Sequence, residues 1–108
     1  MTRLPSRLMV DLLLRSVSAA GGFATVLAHG DDHGGQILIQ CREHGILGPL
    51  LERQFDGVWR AVGAGGTGGD APDDAYIERR RRSDPDLWLI ELDIPQAPQF
   101  VAELTLGA

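Results

Sequence analysis

Leu87-Trp88-Leu89-Ile90-Glu91-Leu92-Asp93 decides how this chain folds. Its residues alternate as a strand does, with Trp88, Ile90 and Leu92 on one face and Leu87, Leu89 and Glu91 on the other. Both faces carry large apolar side chains, so the strand needs cover above and below and belongs inside a sheet, away from its edges. Glu91 shares a face with two leucines, and a carboxylate buried there requires an arginine partner.

On the N-terminal side, Pro72-Asp73-Asp74 opens a helix with acidic residues at its positive end. The helix runs through Arg79-Arg80-Arg81-Arg82 to Ser83, and Asp84-Pro85 ends it. On the other side, Pro95 and Pro98 lead into a short helix carrying Phe100, Val101 and Leu104. Further upstream the period is two. Phe23 to Ala28, Gln36 to Arg42, Leu47 to Arg53 and Val58 to Val62 read as four strands joined at turns, the first turn being His29 to Gly35. Short links predict an antiparallel meander. Pro5 to Ala20 is an opening helix stopped by Gly21-Gly22. The expectation is an α+β fold of order α-β-β-β-β-α-β-α, an antiparallel five-stranded sheet made of a meander plus one crossover strand, in one domain over residues 1–108.

The opening helix has a narrow polar face of Arg7, Asp11, Arg15 and Ser18. Its apolar arc spans about 200°, roughly twice what packing on one sheet needs. Excess apolar surface of that kind predicts a homodimer interface, with Leu8, Leu12, Leu13 and Val17 as its residues.

Composition removes several function classes. The net charge of −5 argues against a protein that coats nucleic acid or an anionic membrane. All ten basic residues are arginine, so lysine chemistry, whether a Schiff base or a P-loop lysine, is excluded. One cysteine forbids an internal disulfide and fits a reducing compartment. The apolar run Leu8 to Leu14 imitates a signal peptide, but Asp11 interrupts it and Arg15 closes it, so a cytoplasmic location is expected.

Gly63-Ala64-Gly65-Gly66-Thr67-Gly68 is a literal G-x-G-x-x-G after a strand. A dinucleotide site would start its helix within that motif, whereas Gly69 to Pro72 intervene and Asp70 adds negative charge. A solvent loop is the better reading, and no cofactor is expected. Cys41 and His44 have zinc-like spacing, but Cys41 shares a strand face with Ile37 and Ile39. His29 and His33 lie about 20 Å away at ~3.3 Å per residue, so no metal site is expected. Asp86, Glu91 and Asp93 lack the lysine and the spacing of a metal-dependent nuclease, and no nucleophile is paired with a base. No catalytic residue is assigned. Four consecutive helical arginines point all around the helix, leaving Arg80, Arg81, Asp86 and Glu91 as candidate binding residues.

The stretch Arg79 to Leu92 resembles the closing signature of a family of short alphaproteobacterial proteins, domain-of-unknown-function family 1491. Its specific part is Asp84-Pro85-Asp86-Leu87-Trp88 with Glu91. Ala20-Gly21-Gly22-Phe23-Ala24 and Gly34-Gly35-Gln36-Ile37-Leu38-Ile39 are similar to that family too. The resemblance implies a bacterial cytosolic domain and brings no activity with it. The functional expectation is therefore a non-enzymatic interaction module. The alternative is nucleic-acid or nucleotide-phosphate binding through the Arg79–Arg82 helix.

Overall fold

The computed structural model describes residues 4–63 and 74–106. Within them the order is α1 (Ser6–Ala19), β1 (Phe23–Ala28), β2 (Ile37–Glu43), β3 (Ile46–Arg53), β4 (Trp59–Val62), α2 (Asp74–Ser83), β5 (Trp88–Asp93) and α3 (Ala97–Leu104). Residues 64–73, which hold most of the glycine string, lie outside the described residues. No helix among the described residues is long and apolar enough to cross a membrane.

The strands form one sheet in the order β1-β5-β2-β3-β4. The β2-β3-β4 meander is antiparallel as expected. The expected hairpin between β1 and β2 is corrected: β5 lies between them, antiparallel to β1 and parallel to β2. The sheet is therefore mixed. A strand apolar on both faces is most stable with a neighbour on each side. The link from His29 to Gln36 is long enough to straddle one strand, whereas tight hairpins use two to five residues. The link passes over the start of β5. Asp31 N–H donates to the Asp86 carbonyl at 3.0 Å, and Trp88 N–H donates to the Gln36 carbonyl at 2.8 Å.

One face of the sheet carries the main core. Ile37, Ile39 and Cys41 of β2 and Trp88, Ile90 and Leu92 of β5 pack there with Met9, Val10, Leu13 and Val17 of α1 and Val101 of α3. The C-terminal end of α1 closes in a Schellman arrangement. Gly21 takes φ +88°, its N–H reaches the Ser18 carbonyl, and Gly22 N–H reaches the Val17 carbonyl at 2.9 Å. This fixes how β1 leaves the helix.

The wide apolar arc of α1 is largely hidden within the chain. Leu13 and Val17 are fully buried, and Leu12 and Leu14 are partly buried against the same cluster. Leu13 and Val17 cannot present an intermolecular surface, which corrects their assignment as interface residues. The physical reason is that both point into the core cluster that α1 forms with β2, β5 and α3. Of the four expected positions, Leu8 is 44% exposed and Leu12 half-buried.

The opposite face has a smaller cluster of Leu38, Leu50, Leu87 and Leu89. Tyr76 and Ile77 of α2 pack against it, but α2 has no fully buried residue and covers this face incompletely.

Candidate functional site

The incomplete cover leaves a groove of about 870 Å³ between α2 and the second face of the sheet. Leu87, Leu89, Gln40 and Arg42 contribute from the sheet, and Ile77 and Arg81 from α2. Its polar groups are held in place. Gln40, almost fully buried, donates to the Cys41 and Gly48 carbonyls at 3.1 and 2.9 Å. Arg42 Nε donates to Glu91 Oε1, and its Nη1 donates to the Gly45 carbonyl at 3.1 Å. Arg42 is thus the arginine partner that Glu91 requires.

The four arginines of α2 divide by task. Arg79 lies 6.0 Å from the Tyr76 ring centroid. Arg80 grips Glu52 of β3 with both guanidinium nitrogens, at 2.7 and 2.5 Å, and also donates to the Tyr76 hydroxyl at 2.9 Å. That fork raises the Arg80 pKa further, chiefly through the hydrogen bonds to Glu52. Arg80 therefore clamps α2 to β3. Arg82 reaches Glu78 one turn back at 3.0 Å, an exposed pair worth little to stability. Arg81 lines the groove.

Of the four candidate binding residues, the structure places Arg81 in the groove and Glu91 beside it through Arg42, while Arg80 is committed to Glu52. Asp86 works through its backbone: its carbonyl accepts from Asp31, and its N–H donates to Asp84 Oδ1 at 3.1 Å. They do not form one site. Gln40 is a groove residue that the sequence did not single out, and Arg42 stands beside it. Their alternation with Ile39 and Cys41 put them on the second face, but nothing in the pattern said that this face stays partly open.

Burial pushes the Cys41 thiol up to about 12. A thiol held protonated at neutral pH is expected to resist Ellman's reagent in the native protein and to react fully in 6 M guanidinium, which absorbance at 412 nm would follow. Rapid native labelling would contradict this. Asp31 accepts from the backbone N–H groups of His33 and Gly34, and these bonds hold its carboxyl below the usual carboxylate range. His29 rests against Trp88, ring centroids 4.1 Å apart, and lies 3.6 Å from Asp32. No group of three or more His, Cys, Asp or Glu residues suited to a metal ion occurs among the described residues.

The model of a family described as proteins of unknown function, DUF1491, matches residues 4–102. The chain belongs to the DUF1491 family. The crystal structure of a DUF1491 protein from Caulobacter crescentus CB15 is similar to this DUF1491 chain with a TM-score of 0.73 and 29% identity, covering 85% of this chain and 88% of that one. The solution structure of protein Atu0922 from A. tumefaciens gives 0.71 and 30% identity, covering 88% and 89%. An NMR structure of a DUF1491 protein from Caulobacter crescentus CB15 gives 0.71 and 27%, covering 89% and 90%. No curated protein matches the chain.

Proposed function

We propose that this DUF1491 chain is a non-enzymatic interaction module of the cytoplasm that pairs with a second copy of itself through β1. The observation that carries this is the character of the two sheet edges. β4 is only four residues long and contains Arg60, as a protected edge does. β1 has six residues, Phe-Ala-Thr-Val-Leu-Ala, without one charge, and it exposes Phe23 by 75%, Leu27 by 50% and Val26 by 37%. An uncharged edge is a template for another strand, and its free N–H and C=O groups supply the pairing.

A two-fold axis normal to the sheet keeps each face on its own side, so only residues of like parity can pair across it. Centred on Thr25, such an axis sets Thr25 against its own copy and Ala24 against Val26 of the other chain. Small then meets large, and no like charges meet. The shift in register after Val26 bends the far end of β1, which confines pairing to its first residues. The buried, free Cys41 fits a reducing compartment.

Light scattering after size exclusion tests the reading. The expected mass at tens of micromolar is twice the 11.7 kDa of the chain. Thr25→Lys, which sets like charges across the axis, is expected to give the monomer mass, while Thr25→Val keeps the dimer. Thr25→Cys is expected to cross-link under mild oxidation and Phe23→Cys to do so poorly. A wild-type monomer with no cross-linking at residue 25 would refute the proposal.

The phosphate-binding alternative retains Arg81 as its support, since Arg79, Arg80 and Arg82 are engaged by Tyr76, Glu52 and Glu78.

A further inference from the structure

We infer that the groove between α2 and the second sheet face binds a small organic anion with an apolar body. Its volume, about 870 Å³, falls within the range of small-molecule sites, roughly 300–1,000 Å³. Leu87, Leu89 and Ile77 offer an apolar bed, and Gln40 and Arg42 are fixed by their own hydrogen bonds. Those groups lose little freedom when a ligand enters, which favours binding.

The charges around the groove determine the ligand's sign. Arg42 is balanced by Glu91, and Arg82 by Glu78. Asp84 and Asp74 also line the groove and keep their charge, each already stabilised in place, Asp84 by the Asp86 N–H and Asp74 by the positive end of α2. Arg81 lines the groove without an ion pair among the described residues. A guanidinium beside an apolar floor suits a carboxylate or sulfonate whose body is aromatic or aliphatic. Bulk phosphate or nucleic acid would leave that floor unfilled. Leu27 and Ala28 at the far end of β1 reach the groove, but Ile77, Arg81, Leu87 and Leu89, which carry its chemistry, lie off the strand that pairs around Thr25, so either reading can fail without the other.

The full chain can be titrated with 8-anilinonaphthalene-1-sulfonate, an anion with an aromatic body, and with the uncharged N-phenyl-1-naphthylamine. The sulfonate is expected to bind about tenfold more tightly than the neutral compound, and Arg81→Gln to weaken it about tenfold by removing a charged hydrogen bond. Arg15→Gln, on the exposed side of α1, is expected to leave it unchanged. Amide shifts in a nitrogen–proton correlation spectrum should gather at Ile77, Arg81, Leu87 and Leu89. Equal affinity for the two compounds, indifference to Arg81→Gln, or shifts gathered on α1 or α3 would each overturn the inference. A melting curve on Arg81→Gln establishes that any loss comes from the site and not from unfolding.

Discussion

Trp88→Ala is expected to lower the unfolding free energy by about 4 kcal/mol, a large part of the stability of a domain this size. Trp88 heads the largest fully buried side chains and sits in the main core. Removing it opens a cavity that α1 and the sheet can close only in part. The loss does not stop there. The indole N–H donates to the Asp31 carbonyl at 2.7 Å, and the His29 ring packs against the indole at a 45° tilt, so Trp88 also fastens the link that crosses over β5. The variant leaves the Asp31 carbonyl without that donor and frees the link from one anchor. Trp88→Phe keeps most of the volume and loses the hydrogen bond, and about 1–2 kcal/mol is expected for it. Guanidinium titrations followed by far-ultraviolet circular dichroism measure both. A cost below about 2 kcal/mol for Trp88→Ala would mean that β5 is not the keystone of the sheet.

The importance of β5 was legible in the residues. The two apolar faces of Leu87 to Leu92 required a strand inside the sheet, and all eight elements follow from period, proline and glycine. Its neighbours were not legible. Short links between strands made β1 and β2 look like a hairpin, because pattern alone does not register a strand inserted from sixty residues further along. The signal that separates the two cases is the length of the His29–Gln36 link, together with an interior strand that needed two neighbours. The same limit applied to α1. Its arc was expected to exceed what the domain could hide, yet Leu13 and Val17 are fully buried, in a cluster whose other members depend on where the chain returns. At the candidate site, the charge run on α2 could be resolved into a clamp, two local pairs and a groove residue only once Glu52, Tyr76 and Glu78 were in place. Arginines on a helix have no assigned task until the sheet beneath them is known.

Gly35→Ala is the second large effect expected, with a cost of about 3 kcal/mol from overpacking against backbone. A Cβ at residue 35 would lie 2.2 Å from the Asp86 carbonyl oxygen, and one at residue 30 would lie 2.3 Å from the same atom. The two glycines flank a carbonyl already held by Asp31, so neither the oxygen nor the link can move without breaking a bond that seats β5. The disturbance would travel to α1 as well. Pro5 offers no side-chain cap, and the first N–H groups of the helix are satisfied by the link: Ser6 N–H donates to the His33 carbonyl, Arg7 N–H donates to the Asp32 carbonyl, and the Ser6 hydroxyl donates to the Gly35 carbonyl at 2.6 Å. One loop therefore caps α1 and clamps β5 at once. Gly34 provides the control within the same segment. Nothing lies within 4 Å of a Cβ built there, so Gly34→Ala is expected to stay within about 0.5 kcal/mol of wild type or to gain slightly from a stiffer unfolded chain. Thermal melts of Gly30→Ala, Gly34→Ala and Gly35→Ala separate the cases. If all three behaved alike, the glycines would be serving chain freedom, and the close approach of the link to Asp86 would not be what locks β5 between β1 and β2.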